Sequence, residues 1–491
     1  MMRRSIIAVA GSACALTVAN TAVAGGMTFA DETGTRLSMI GNVGIGDAEE
    51  KDTNIGDFNN DGWMDVVVVR KRPFSNVGPR EDVLLMNENG TLVDRTAQFA
   101  PGFITTLTDA RDVVVNDFDN DGWLDIVVVS TFGVQPQYYS NLGNDGGGNW
   151  LGFANESGAR FPNVSTADVN QLQFCAGWAG DLDGNGWDDL YMSNYGPSQA
   201  VKDMLFMNTG NGFFVDEVDE RMGNLRNSAF GTNVEMADLD SDGDLDIMKT
   251  TTLYGTSPWN GIRLPVLLND GTGNFSWDGT SLDNGDPYMF RIADYSGDGD
   301  PDVYVVKDGT DKIGIRTSAD GAAPSYNFTS VSNGRTNGFG GNVKQGDIDN
   351  DGDLDIGVAP IDVDIANCNP FEEWQLWDNN GAGSLSTMFV ADQGFHNPSH
   401  DFDFIDIDND GCLDIFQGLC SGYRVFMQTT EGCGVTGPAA DLNGDGFVNG
   451  ADLATLLSVW STNGSGTGAD LDGNGIVDGA DLASLLAQWT G

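Results

Sequence analysis

DFDNDGWLD, residues Asp117 to Asp125, packs four aspartates into nine residues and runs straight into the apolar Ile126-Val127-Val128-Val129. Four like charges this close repel unless something positive lies among them. Side chains at positions 1, 3, 5 and 9 of the stretch can converge on one point, because Gly122 lets the chain turn sharply. Hard carboxylate oxygens in a flexible loop suit Ca²⁺ better than zinc or copper.

The stretch recurs. Copies begin at Asp57, Asp117, Asp181, Asp238, Asp294, Asp347 and Asp406, spaced by 60, 64, 57, 56, 53 and 59 residues. Internal self-similarity at such a period marks a repeat architecture. Positions 1, 3, 5 and 9 are the candidate metal ligands. In copy order these are Asp57, Asn59, Asp61 and Asp65; Asp117, Asp119, Asp121 and Asp125; Asp181, Asp183, Asn185 and Asp189; Asp238, Asp240, Asp242 and Asp246; Asp294, Ser296, Asp298 and Asp302; Asp347, Asp349, Asp351 and Asp355; and Asp406, Asp408, Asp410 and Asp414. A short apolar run precedes each loop and another follows it. A third run then ends in an Asn/Gly turn (DVLLMNENG, DMLFMNTG, PVLLNDGTG), and a fourth comes after the turn (TLVDRT, FFVDEV, FSWDGT). Four short strands per repeat, repeated radially, predict the blades of a β-propeller, and seven is a usual number. The seventh repeat lacks its outer strand. The text MTFADETG from Met27 is like the other outer strands, so the N-terminal segment is expected to complete the last blade and remove an exposed edge.

The stretches FGTNVEMADLDSDGDLDI from Phe230 and FGGNVKQGDIDNDGDLDI from Phe339 resemble FG-GAP/VCBS repeats, the blades of integrin-α-like propellers and of many secreted bacterial proteins. The resemblance covers roughly residues 27–430. It implies one Ca²⁺ per loop, held by positions 1, 3, 5 and 9 and by the backbone carbonyl at position 7. It also implies weaker binding where Asn59, Asn185 and Ser296 replace carboxylates. Such ions commonly stiffen the scaffold, whereas ligands bind on one face built by the longer loops.

From Asp441 the pattern changes to two 12-residue loops, DLNGDGFVNGAD and DLDGNGIVDGAD, 29 residues apart. Their positions 1, 3, 5, 9 and 12 are Asp441, Asn443, Asp445, Asn449 and Asp452, then Asp470, Asp472, Asn474, Asp478 and Asp481, which is EF-hand-like loop spacing. One helix is expected after each loop, with Leu453, Leu456, Leu457 and Trp460 and then Leu482, Leu485, Leu486 and Trp489 along one face. A duplicated loop and helix with Asp at position 12 resembles a type I dockerin. That resemblance implies a cohesin-like scaffold partner for residues 440–491. Positions 10 and 11 are Gly450-Ala451 and Gly479-Ala480, where cellulosomal dockerins commonly carry a hydroxyl pair. The competing reading is a small calcium-stabilised terminal module that docks on the propeller or on nothing.

The expected organisation is therefore mainly β. A signal peptide at 1–24 (basic Arg3 and Arg4, an apolar stretch, Ala22-Val23-Ala24) precedes a seven-bladed propeller at 25–432, a linker at 433–439 and a small α-helical duplicated EF-hand-like, dockerin-like domain at 440–491. The chain is then secreted, extracellular or at the cell surface, with up to nine Ca²⁺ sites, and no stretch is apolar enough for a membrane span. With 23 Lys+Arg against 73 Asp+Glu, the net charge of −50 argues against nucleic acid and anionic membranes as partners. Much of that acidity is coordination chemistry. Five cysteines remain after the leader: Cys175, Cys368, Cys412, Cys420 and Cys433. Cys368 and Cys420, which follow equivalent strands, are the suggested pair. His396 and His400 fall in FHNPSHD, where Pro398 favours a loop over a helical metal site. Tyr138, Tyr139, Trp150, Trp259, Trp374 and Trp377 could stack on sugars but are by default core. No catalytic motif stands out. Two functions compete: a non-enzymatic binding or adhesion protein with a protein or glycan ligand, and a polysaccharide-active enzyme (lyase or glycosidase) or lectin carried on a scaffold.

Overall fold

A computed structural model describes residues 27–40, 43–45, 50–71, 78–162, 173–195, 201–251, 257–283, 285–307, 309–331, 341–359, 374–388, 399–419, 421–430, 440, 442, 448–462, 469, 471 and 476–489. The leader, the linker, Cys368, Cys420, Cys433, His396 and the ligand positions Asp441, Asn443, Asp445, Asp470, Asp472 and Asn474 lie outside the described residues.

Seven sheets, each with a four-stranded antiparallel core, form the seven blades of a β-propeller. The innermost strands are Glu50–Gly56, Ala110–Asn116, Phe174–Gly180, Val234–Ala237, Pro287–Ala293, Val343–Gly346 and Ser399–Ile405. Each runs into an aspartate loop, and the ninth residue of that loop opens the second strand, as Asp125 opens Asp125–Ser130. Valines on both faces of the second strands are buried because every blade is sandwiched between two others. Val67 and Val69 of blade 1 meet Val113, Ile126, Val128 and Tyr139 of blade 2 in one cluster, for example.

The chain closes the ring as its sequence predicts. Phe29–Asp31 is the outer strand of blade 7, with Phe29 opposite Gln428 and Asp31 opposite Phe426. Leu37–Ser38 then adds a parallel fifth strand to blade 1 beside Leu92–Asp94. The default placement of the aromatics holds. Tyr138, Tyr139, Trp259 and Trp377 are buried, and Trp150 and Trp374 pack partly buried against the core.

Two expectations need correction. His400 lies within the inner strand Ser399–Ile405, not in a loop, and is buried. In the C-terminal module, of the apolar residues expected along one face of the helices Gly450–Ser458 and Gly479–Ala487, only Leu456 and Leu485 are completely buried, in a core with Ala440, Val448, Ala469 and Val477. Leu457, Trp460, Leu486 and Trp489 are 51%, 39%, 53% and 41% exposed. Two helices this short share only a narrow seam, so the i+4 and i+7 positions turn away from it.

Candidate functional site

The aspartate loops are built alike. At position 1, one carboxylate oxygen accepts the N–H of position 5 and the other accepts the N–H of the position 6 glycine; for Asp117 these bonds measure 3.0 and 2.9 Å, to Asp121 and Gly122. The glycine sits at φ 90°, where a side chain is strained. Position 9 ties the loop to the rest of its blade. Asp246 accepts the N–H of Leu239 at 3.1 Å and that of Asn269, at the end of the third strand, at 2.9 Å. Asp65, Asp189, Asp355 and Asp414 repeat this pattern. Asp125 varies it, taking the Tyr138 hydroxyl in place of the loop N–H.

These anchors bring carboxylates together. Oxygens of Asp117, Asp119 and Asp121; of Asp181, Asp183 and Asp189; of Asp238, Asp240 and Asp246; of Asp347, Asp349 and Asp351; and of Asp406, Asp408 and Asp414 each gather within 4.8 Å. Among the described residues no such trio forms in the loops at Asp57 and Asp294, where position 3 is Asn59 or Ser296. Burial pushes Asp65, Asp355 and Asp414 up to about 8 and Asp125, Asp189 and Asp246 up to about 7, with neighbouring carboxylates adding to the rise in each case. At position 3, one oxygen each of Asp119, Asp240 and Asp408 is buried without a hydrogen-bond donor. A hard divalent cation answers both observations: it supplies the missing positive partner and favours the ionised carboxylates.

The sequence reading missed an arginine that serves three of these loops. Arg160 pairs with Glu156 one helical turn earlier, with Asp119 at 3.2 Å, and with the backbone carbonyl of Asn211 in the next blade. Arg221 does the same with Glu217, Asp183 and Thr272, and Arg36 with Glu32, Asp408 and Gly90. Its signal was present as E-x-x-x-R after the outer strand: ETGTR, ESGAR and EVDER.

Around the axis, Asn350 donates to Gly411, Asn409 to Gly62, Asn60 to Gly122 and Asn120 to Gly186. These bonds link five consecutive loops into a chain on one face. Inside it lies an axial cavity of about 260 Å³ lined by the inner strands of six blades and, from blade 4, by Thr232 and Asn233 just before its inner strand. Sequence reading did not find this cavity.

In the C-terminal module, Asp452 at position 12 accepts the N–H groups of Leu442 and Asn449, both at 2.8 Å. Asp481 accepts that of Asp478 at 2.7 Å, while Asp478 caps the following helix through the N–H of Ala480. Both position 12 aspartates are fully buried.

Family models match at the same places: FG-GAP-like repeat at residues 57–128 and 181–248, and Dockerin type I domain at 439–488. The chain carries FG-GAP-like repeats and a type I dockerin domain. The dockerin domain implies a cohesin partner, and such domains in general bind Ca²⁺. No curated protein matches the sequence. Among solved structures, one that is similar is an Agrocybe aegerita lectin that recognises non-reducing terminal N-acetylglucosamine (15% identity, 71% of this chain and 82% of that one, TM-score 0.41). Another is BBS1N in complex with ARL6DN (10%, 80% and 95%, TM-score 0.45). A third is the V. cholerae biofilm matrix protein Bap1 (14%, 84% and 63%, TM-score 0.33). At these TM-scores the propeller assignment rests on the strand pairings themselves. No helix among the described residues is long and apolar enough to cross a membrane.

Proposed function

We propose that the chain is a secreted, calcium-dependent binding module whose propeller presents its loop face to a protein or glycan, and whose dockerin domain fastens it to a cohesin-bearing scaffold. The observation that carries this reading is the joining of a ring-closed propeller, with a polar axial cavity, to a type I dockerin domain. Calcium occupies the seven propeller loops through positions 1, 3, 5 and 9, and the two dockerin loops through positions 1, 3, 5, 9 and 12. The domains run from 25 to 432 and from 440 to 491. The solvent-facing Leu457, Trp460, Leu486 and Trp489 supply an apolar surface of the kind a partner covers.

The test immobilises a type I cohesin and passes the full chain, and a chain ending at residue 438, over it in calcium and then in EDTA. Binding of the full chain alone, lost in EDTA, is expected; no binding in calcium sinks the attachment. Incubation of the full chain with soluble polysaccharides, followed by an assay for new reducing ends and unsaturated products, decides between binding module and enzyme.

A further inference from the structure

Five of the seven aspartate loops are wired to one another. Position 4 is Asn in the loops at Asp57, Asp117, Asp347 and Asp406, and each of these asparagines holds a left-handed φ between 52° and 59°. Each donates its side-chain amide to the carbonyl of the position 6 glycine in the next loop round the ring. Asn350 reaches Gly411 at 3.2 Å, Asn409 reaches Gly62 at 3.1 Å, Asn60 reaches Gly122 at 3.1 Å and Asn120 reaches Gly186 at 2.8 Å. The series stops at Gly184, which has no side chain to offer the loop at Asp238. Gly297 likewise offers nothing to the loop at Asp347, and Ser241 reaches the Asp300 carboxylate instead, at 3.5 Å.

Both ends of each link lie on candidate ligands. The donor asparagine sits between positions 3 and 5 of its own loop. The carbonyl that accepts it belongs to the same peptide group as the position 7 N–H. That N–H donates to the position 5 side chain of the receiving loop: Cys412 to Asp410 at 2.8 Å, Trp63 to Asp61 at 2.9 Å, Trp123 to Asp121 at 3.0 Å and Trp187 to Asn185 at 2.8 Å. One peptide group thus receives the neighbouring loop and aims a candidate ligand of its own.

Two loops make an internal comparison. Those at Asp57 and Asp294 share a defect: position 3 is Asn59 or Ser296, and among the described residues neither loop gathers a carboxylate trio. In the first, the Asn59 amide even donates to the Asp61 carboxylate, at 2.9 Å. Their connections differ. The loop at Asp57 stands between linked neighbours at Asp406 and Asp117, both of which gather trios. The loop at Asp294 follows a loop with Ser at position 4 and itself carries Gly there, so it has no asparagine link on either side.

We propose that the asparagine links couple calcium binding positively along five loops, from Asp347 through Asp406, Asp57 and Asp117 to Asp181, so that the carboxylate-poor loop at Asp57 fills with its neighbours whereas the loop at Asp294 fills alone. Carboxylates that are not neutralised repel one another and loosen the loop that carries them. Neutralising them in one loop fixes residues 3 to 5, and with them the asparagine. The asparagine then fixes the peptide between positions 6 and 7 of the next loop, and that peptide orients position 5. Order imposed on one loop is order its neighbour no longer has to supply, which is a positive coupling between sites. The coupling is reciprocal, so each loop aids the one behind as well as the one ahead. An exposed, neutral hydrogen bond sets its size at about two- to fivefold in affinity per link. The inference rests on the reading of the loops as calcium sites.

The test titrates the full chain, stripped with EDTA, with Tb³⁺, a hard cation whose emission is excited through a nearby indole. Trp63, Trp123 and Trp187 stand at position 7 of three linked loops. The part of the emission that Trp63→Phe removes reports the loop at Asp57, and the part that Trp187→Phe removes reports the loop at Asp181. Asn409→Gly cuts the link into the first of these loops and Asn120→Gly the link into the second, and each leaves every residue of the receiving loop in place. Glycine accepts the left-handed φ, so the donor loop keeps its backbone. The Tb³⁺ midpoint is expected to rise about two- to fivefold at the Trp63 reporter with Asn409→Gly, and likewise at the Trp187 reporter with Asn120→Gly. Ser241→Gly, outside the chain of links, is expected to move neither, and the denaturation midpoint in EDTA checks the folding of each variant. Unchanged midpoints at both reporters, or equal shifts with Ser241→Gly, overturn the proposal. Calorimetric titration with Ca²⁺ separates that failure from failure of the reading beneath it. Calcium uptake with unshifted midpoints means that the loops fill independently, whereas no uptake means that they are not calcium sites and removes the coupling with them.

Discussion

At the scale of single residues, the aspartates do two jobs that sequence spacing cannot separate. Positions 1 and 9 are already committed to backbone N–H groups, so they are structural anchors as well as candidate ligands. Asp246→Ala leaves the N–H groups of Leu239 and Asn269 unpaired and is expected to cost about 2–4 kcal/mol even in EDTA, read from urea denaturation. A loss confined to calcium-containing buffer would mean that position 9 acts only through the ion. His400 makes a second prediction. Burial lowers it from 6.5 to about 4, among Glu50, Lys51, Lys71 and Arg111. A depressed histidine is neutral in the fold and protonated in the unfolded chain below 6.5. Its contribution is therefore complete above pH 6.5 and is lost as pH falls toward 4, by roughly 2–3 kcal/mol. His400→Gln should flatten the stability profile in that window relative to the parent; parallel profiles would refute the assignment. The loop positions were legible because their spacing is fixed by one glycine turn. His400 was not, because it occupies a β-bulge, as do Arg111, Cys175 and Tyr288 in their own inner strands. A bulge adds one residue and re-aims a side chain, which breaks the two-residue alternation that a strand reading relies on.

At the scale of elements, the short turn of helix after the outer strand is more than a connector in blades 2, 3 and 7. Its arginine joins a loop aspartate to a carbonyl of the following blade. Arg160→Met keeps the apolar stem and removes the charge. It should lower the denaturation midpoint by about 1–2 kcal/mol in stability and weaken calcium uptake by the loop at Asp117, measured by calorimetric titration against the parent. An unchanged titration would show that the guanidinium serves the blade seam alone. The dockerin helices carry a different lesson. Heptad-like spacing located both helices but overstated the buried face, because it counts apolar side chains without regard to how wide the contact is. Leu456→Ala should cost about 2–4 kcal/mol of domain stability, whereas Leu457→Ala and Leu486→Ala should each cost under about 0.5 kcal/mol and be felt in cohesin affinity. Equal destabilisation by Leu456→Ala and Leu457→Ala would refute this division.

At the scale of the whole molecule, the ring is held shut by a dozen residues at its N-terminal edge. Phe29–Asp31 pairs with the third strand of blade 7, Thr28 and Thr429 join their backbones at 2.7 Å, Arg36 reaches Asp408, and Leu37–Ser38 continues onto blade 1. Met27 and Phe29 are buried in the blade 7 core. This closure was legible because the seventh repeat runs out of text where the first begins with spare text; the parallel strand on blade 1 was not, since two residues carry no periodicity. Removing residues 27–38 withdraws two large apolar side chains, worth about 1.5–3 kcal/mol each, and bares the edge of Gly422–Gln428. The truncated chain is expected to unfold at least about 3 kcal/mol more easily and to self-associate in sedimentation, and a peptide spanning residues 27–38 should restore part of the loss in trans. Removing residues 440–491 should leave the propeller's denaturation midpoint in place, because among the described residues no strand of the ring comes from that module. If the two truncations behave alike, the ring is not closed by its N-terminal strand and the blades hold together through their interfaces alone.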